Sequence, residues 1–425
     1  MDRAADAPDE APADGSVQPA DTPATIESTL LTAPRDGTPE PVTTLAELSE
    51  VARRLAAGYG PVAVDAERAS GYRYTHRAYL IQLRRAGAGT AMVDPVPLRD
   101  LRMLGDALAG SEWILHAASQ DLPCLAELGM LPRRLFDTEL AARLAGFERV
   151  GLAALTETLL GYTLEKHHSA ADWSTRPLPP AWLAYAALDV ELLIDLRDLL
   201  AAELDQQGKA EWAAQEFAAL VNGAGEPPRL RPDPWRRTSG IHRVRGARAL
   251  ARVRALWHAR DAVASRRDIT PSRVLPDAGI ITAAVADPKN ERELQALAGF
   301  GGRGARRSAS AWLEALAQAR ALPDAELPNT PAPDGPPPPH RWAERDPVAA
   351  ARLARCREMV TTVATQHRVP PENLLAPDSV RRLAWTPPEP IDTDSVSAVL
   401  DGLGARRWQV ELTAPGLATA LRTEP

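Results

Sequence analysis

The 425-residue chain holds two cysteines, Cys124 and Cys356, one in each half. Neither a disulfide framework nor a cysteine-rich zinc site can be assembled from them. Long apolar runs are missing as well, with none near the ~18 residues that a bilayer requires, so no membrane span is expected. Residues 1–20 carry Asp2, Asp6, Asp9, Glu10 and Asp14 against the single Arg3. They lack the basic start and apolar stretch of a secretory signal, and the expected location is the cytoplasm. Lysine is scarce: Lys166, Lys209 and Lys289 are the only three, and arginine supplies the other cations. That bias lowers what any single arginine signifies. No strand feeds the glycine-rich stretch Gly299–Gly304, which argues against a dinucleotide or ATP loop. A single core rarely grows past ~250 residues, so two or three domains are expected.

The formal net charge of −7 is unevenly placed. Residues 1–42 contain nine acidic and two basic side chains and so hold the whole imbalance. They are rich in Ala, Pro, Asp and Thr without apolar periodicity, and read as a disordered acidic tail. Residues 229–322 contain 18 Arg and one Lys against eight acidic residues, a local excess of +11. A strongly basic module therefore sits inside a nominally acidic protein, and phosphate is its natural partner.

Between these regions the pattern alternates. A helical stretch, Leu45 to Ala57, precedes strands at Pro61–Glu67, Tyr79–Leu83 and Thr90–Asp94, which read as an antiparallel meander. Helix Leu98–Leu108, strand Trp113–His116, helix Asp121–Leu128 and strand Leu135–Asp137 follow, then helices from Thr138, Gly151 and Ala181. That order predicts an α/β unit over 43–222, a mixed sheet covered by helices. The basic unit 229–322 is helical by periodicity, and the proline-rich 323–340 reads as a semi-rigid spacer. The last unit, 341–422, weakly repeats the basic one: Ile269-Thr-Pro271-Ser-Arg273-Val-Leu275 finds its counterpart in Val369-Pro-Pro371-Glu-Asn373-Leu-Leu375. Two small helical domains related by duplication are expected.

Carboxylates carry the chemistry. Asp65 and Glu67 lie two apart on a strand and share a face. Alone, they are better read as a solvated strand edge. Asp121 follows the strand ending at His116, where an Asp also serves as an ordinary helix cap. Tyr185 and Asp189 are four apart on a helix and share its face. Together these make four hard oxygen donors without His or Cys ligands, a set suited to Mg²⁺ or Mn²⁺. Two such ions ~4 Å apart activate water and stabilise a leaving phosphodiester oxygen. Nuclease chemistry follows.

The sequences Val64-Asp65-Ala66-Glu67, Leu115-His116-Ala117-Ala118-Ser119-Gln120-Asp121-Leu122 and Tyr185-Ala186-Ala187-Leu188-Asp189-Val190 resemble the three exonuclease motifs of the ribonuclease D family, the DEDD type with tyrosine in the third motif. Gly151–Leu155 and Asp172-Trp173-Ser174-Thr175-Arg176-Pro177-Leu178 resemble it too. The likeness covers about 43–205, and Trp235 to Leu322 is similar to the HRDC module, with 341–422 a diverged second copy. The resemblance implies a ribonuclease-H-like α/β exonuclease domain followed by two HRDC-type helical domains, and 3′–5′ exoribonuclease activity releasing 5′-mononucleotides. Asp65, Glu67, Asp121 and Asp189 would hold two Mg²⁺ ions, with Mn²⁺ an alternative, and Tyr185 would position the attacking water. The implied substrate is RNA with a free 3′ end, precursor tRNA among others, and the chain is expected as a monomer. A DNA 3′–5′ exonuclease and a non-catalytic nucleic-acid scaffold are the alternatives. Two positions depart from the family pattern. Arg68 stands where an aromatic usually follows Asp-x-Glu, and Gln120 where an acidic residue often precedes the second motif's Asp.

Other residues have two readings each. His116 is either a substrate contact or a satisfied structural histidine. Lys166, on a loop, is a candidate phosphate contact, and Arg176 either binds phosphate or locks its loop to the core. His167 and His168 show no metal spacing, and Cys124 reads as buried packing without an activating partner. Trp173 and Trp182 read as core. In the basic unit, Arg229, Arg231, Arg236, Arg237, Arg243, Arg245 and Arg248 form one candidate phosphate-binding cluster, and the loop holding Arg303, Arg306 and Arg307 forms another.

Overall fold

A computed structural model describes residues 28–164, 170–226, 232–302, 306–328 and 335–422. Five strands, β2 (Tyr59–Arg68), β3 (Ala78–Ala86), β4 (Gly89–Val93), β5 (Glu112–Leu115) and β6 (Arg134–Asp137), form one sheet in the order β4-β3-β2-β5-β6. β2 runs antiparallel to β3 and parallel to β5, so the sheet is mixed and the strand bearing Asp65 and Glu67 is central. The helix Leu45–Ala57 starts at a reciprocal cap, Thr44 accepting from Glu47 N–H while Glu47 returns to the cap backbone. Its Leu48, Val51 and Leu55 join Val62, Val64, Ile81 and Ile114 in the main core on one side of the sheet. On the other side the helix Pro180–Glu191 sets Leu183, Ala186 and Ala187 against Leu80 and Met92. Alanines there let the helix approach closely, and it carries Tyr185 and Asp189 to the sheet. The expected helix Leu98–Leu108 is two shorter ones, Pro95–Leu98 and Arg102–Ala107, interrupted where Arg99 turns left-handed at φ 63°.

The acidic segment 1–42 is not a tail throughout. Residues 1–27 lie outside the described residues, but β1 (Thr29–Leu31) pairs in parallel with β7 (Tyr162–Leu164). Asp36 meets Arg84 at 3.1 Å, Arg84 meets Glu191 at 3.1 Å, and Arg35 N–H donates to Glu191. Composition missed this because the segment is held by partners distant in sequence rather than by its own apolar pattern.

Two helical units follow, with the same succession of elements. Ala247–Arg267, Pro271–Val274 and Asp277–Ala286 in the first correspond to Pro347–His367, Pro371–Leu374 and Pro377–Trp385 in the second. Each long helix ends on a left-handed residue, Asp268 or Arg368. Their burial differs. The first has its own core around Trp235, Leu256, Phe300 and Trp312, whereas the core of the second, around Leu353, Leu383, Trp408 and Leu417, is continuous with that of the sheet domain. Trp212 and Trp408 stack at 4.8 Å across that joint, and the Trp408 indole donates to Glu216 at 3.0 Å. Residues 329–334 of the expected spacer lie outside the described residues. Its end is not a free spacer: Pro336 and Pro337 are buried, and the Trp342 indole donates to the Pro337 carbonyl at 2.7 Å. Among the described residues no helix is long and apolar enough to cross a membrane.

Candidate active site

Asp65 and Glu67 project from one face of β2, and Asp189 descends on them from the helix Pro180–Glu191. One carboxylate oxygen from each of the three lies within 4.8 Å of the others. Asp121 stands beside this trio and is close enough that its charge disfavours ionisation of Glu67 and Asp189. It arrives by a specific local path. β5 ends at Leu115, Ala117 adopts a left-handed φ of 60°, and a single 3₁₀ turn, Ala118–Gln120, delivers Asp121 to the start of the helix Leu122–Glu127. The Asp121 side chain makes no capping hydrogen bond, which excludes the plain cap reading.

The turn is held by a residue that sequence reasoning placed only as a strand end. Asp137, buried at the end of β6, accepts from Ala117 N–H at 3.1 Å and Ala118 N–H at 2.8 Å. It also caps the next helix by accepting from Glu139 and Leu140 N–H. An Asp between a strand and a helix is a recognisable cap signal, but its second duty to the β5 loop depends on tertiary placement.

Burial and mutual repulsion push the carboxyls up. Desolvation is the main cause for each, and it raises Asp65 to about 6 and Asp121 to about 8. Glu67 is raised to about 10 and Asp189 well above its ordinary value, each by burial first and then by neighbouring carboxylates. A cluster whose members cannot ionise together cheaply calls for cations. The donors are all hard carboxylate oxygens, so the residues present fit divalent ions such as Mg²⁺ or Mn²⁺. The Tyr185 phenol hydrogen-bonds Asp189 and is itself raised above its ordinary value by burial and then by Asp189, Glu67 and Asp65.

The remaining candidates divide. His116 lies beside the loop with Nδ1 against Thr138 Oγ1 at 2.9 Å, and burial lowers it to about 4, so the ring is neutral. One ring nitrogen is thus engaged within the fold. Arg176 does not offer its fork to a substrate phosphate. Nε and Nη2 grip Asp94 at 2.7 and 2.9 Å, and Nη1 and Nη2 also donate to the carbonyls of Trp173, Thr175 and Tyr79. Of its two readings the loop-locking one holds, because every donor is spent inside the fold. Lys166, with His167 and His168, lies outside the described residues. Trp173 is fully buried with Trp182 edge-on at 5.4 Å, and the Cys124 thiol donates to the Asp121 carbonyl and is pushed up to about 12 by burial.

A recess of about 230 Å³ opens beside the carboxylates, lined by Glu67, Arg68, Ser70, Tyr72 and Ala171 among others. Its wall is the β2–β3 loop, which also fastens the first helical unit. Tyr74 and Thr75 N–H donate to Asp268, Tyr74 OH to Asp261, and Arg273 lies 4.0 Å over the Tyr72 ring. In that unit Arg237, Arg243 and Arg245 are exposed, whereas Arg236 pairs with Asp233 and Arg248 with Asp324 and the Leu322 carbonyl. Arg229, Arg231 and Arg303 lie outside the described residues.

Known proteins resemble this chain along most of its length. Residues 39–205 match the family described as 3′–5′ exonuclease, 249–316 the HRDC domain, and 335–421 the 3′ to 5′ exonuclease C-terminal domain. The last unit, expected as a second HRDC copy, thus matches a description of its own. A curated ribonuclease D of Gluconacetobacter diazotrophicus is 33% identical over 361 residues, 83% of this chain and 88% of that protein. A crystal structure of a protein from Bifidobacterium adolescentis superposes with a TM-score of 0.86 at 41% identity, covering 93% of this chain and all of the other. That of Escherichia coli RNase D, titled an exoribonuclease involved in structured RNA processing, gives 0.67 at 26% identity over 90% of this chain and 98% of its own. With four carboxylates and a tyrosine gathered at one end of a mixed sheet, and relatives matched along most of their length, the chain belongs to the ribonuclease D family.

Proposed function

We propose that the chain is a 3′–5′ exoribonuclease that shortens RNA one nucleotide at a time, and that 3′ extensions of structured RNAs, precursor tRNA among them, are its substrates. The observation that carries this is the gathering of Asp65, Glu67 and Asp189 within 4.8 Å beside Asp121 and Tyr185. In this reading the four carboxylates hold two Mg²⁺ ions, with Mn²⁺ an alternative. Such ions, when bound, lower the pKa of the attacking water and neutralise charge on the leaving oxygen. Water oxygen attacks phosphorus, the P–O3′ bond breaks, the shortened RNA keeps a 3′-hydroxyl and the released nucleotide carries the 5′-phosphate. Tyr185 is a poor base, because its phenol is held above its ordinary value. Its part is positioning, with the hydroxyl fixed on Asp189 and facing the water. Units 43–222, 229–322 and 341–422 act as catalytic domain, RNA-docking module and C-terminal module. The exposed arginines of the second contact backbone phosphate without choosing bases. The chain acts as a cytoplasmic monomer.

The test is incubation of the full chain and Mg²⁺ with a 3′-tailed hairpin RNA and its DNA counterpart. Stepwise shortening of the RNA from its 3′ end is expected. Preference for DNA favours the DNA exonuclease alternative, and binding without shortening refutes catalysis.

The raised carboxyls set a pH dependence. A carboxyl whose pKa rises on folding binds its proton more tightly in the folded state, so ionising it costs stability. Without ions, stability is fully present below the ordinary carboxylate range near ~4 and is lost as pH climbs through Asp65 at about 6 and Asp121 at about 8. Divalent ions bind the ionised form. The gain in Tm on adding Mg²⁺ should therefore be small at pH 5 and large at pH 8 by differential scanning fluorimetry. A gain independent of pH contradicts this account of the cluster.

A further inference from the structure

The two positions that depart from the family pattern, Arg68 and Gln120, meet in space. Strict alternation along β2 would send Arg68 to the face opposite Asp65 and Glu67. The register between β2 and β3 slips between Glu67 and Arg68, however, and such a bulge re-aims the following side chain. The guanidinium arrives at the second motif: Nη2 donates to Gln120 Oε1 at 3.4 Å and lies 3.4 Å from Asp121 Oδ1. The side chains of Arg68 and Asp121 are 25% and 7% exposed, so their attraction is screened far less than that of a surface pair.

The contact is long and single-pronged, not a bidentate fork, and the Arg68 Nε is buried without an acceptor. It offsets the charge of Asp121 in its ionised form, the form that binds a cation, without locking it. Gln120 suits this arrangement, since an amide oxygen accepts from the guanidinium without adding the negative charge that would hold it fast. A guanidinium and a divalent ion brought to the same carboxylate repel one another, so each weakens the other's hold on it. We propose that Arg68 is a resident counter-ion that competes with the divalent ion for Asp121, so that this chain binds metal more weakly on its Asp121 side than it would with an uncharged residue at position 68. The proposal rests on the metal site inferred above. It makes Arg68 a positioning residue that acts through Asp121.

The experiment is a Mn²⁺ titration of the full chain, followed by the electron paramagnetic resonance signal of the free ion, for wild type, R68Q, R68F and R68K. R68Q and R68F should each tighten the weaker site by on the order of tenfold, and R68K should stay with wild type. In a D121N background, R68Q should change nothing. R68F, which restores an aromatic side chain, gives an answer independent of R68Q if one of the two folds poorly. Unchanged or weakened affinity in both overturns the competition. Absence of Mn²⁺ binding by wild type overturns the metal site itself, and the role of Arg68 with it.

Discussion

Replacing Asp189 by Ala should slow hydrolysis of 3′-tailed RNA by on the order of a thousandfold or more, roughly 4 kcal/mol of barrier, while RNA still binds. The size follows from position. Asp189 is the member of the trio that arrives from the helix Pro180–Glu191, and its carboxylate is tied to Tyr185. Without it Asp65 and Glu67 remain as two carboxylates on one strand, the arrangement that alone reads as an ordinary edge. The arginines proposed to dock RNA lie on a separate unit with its own core, so binding should persist. Asp65→Ala should behave alike. Tyr185→Phe should slow turnover more mildly and leave ion binding intact, because a positioned hydroxyl is lost while all four carboxylates stay. Single-turnover rates with Mg²⁺ and filter binding in EDTA separate these effects, and full activity in Asp65→Ala or Asp189→Ala would sink the assignment.

The second large effect concerns the fold. Trp408 is 1% exposed, stacks on Trp212 and donates to Glu216. Trp408→Ala should destabilise the protein by about 3–5 kcal/mol, the usual cost of emptying a buried tryptophan site, and Glu216 loses a partner as well. The core of the last unit is continuous with that of the sheet domain, so the loss should lower the transition that also ends RNA hydrolysis. Asp268→Ala should leave that transition nearly unmoved, because it loosens the polar fastening of the first helical unit and strains the left-handed end of its long helix, both outside the shared core. Calorimetry paired with residual-activity curves checks both. If Trp408→Ala shifts only a separate transition, the last unit folds on its own.

Local pattern and tertiary placement divide the molecule's features into those a sequence discloses and those it hides. The strands at Pro61–Glu67, Tyr79–Leu83 and Thr90–Asp94, and the face shared by Asp65 and Glu67, are legible because side-chain period and β-branched runs are local properties. Tyr185 and Asp189 are legible for the same reason, at helical spacing. The role of Asp137 is not, since its duty to Ala117 and Ala118 depends on β6 lying beside β5. The turn of Arg68 toward Asp121 depends on a one-residue slip that no periodicity announces. Nor did composition distinguish the two helical units, although one keeps its own core and the other shares the catalytic one. Trp212 and Trp408 look like any other tryptophans until they stack. Segment 28–42 failed differently, for its charges looked solvated when Asp36 and Arg35 were answering Arg84 and Glu191.

The spread of the site along the chain has a consequence for synthesis. Asp65 and Glu67 leave the ribosome early, Asp121 later, and Asp189 only once the helix Pro180–Glu191 has been made. Chains are translated in that order, and the closing of so long a loop must precede any cation bridge between Asp65 and Asp189. A nascent or prematurely terminated product that ends before Asp189 lacks one carboxylate of the trio. Until then the carboxylate set that the proposed hydrolysis requires is incomplete.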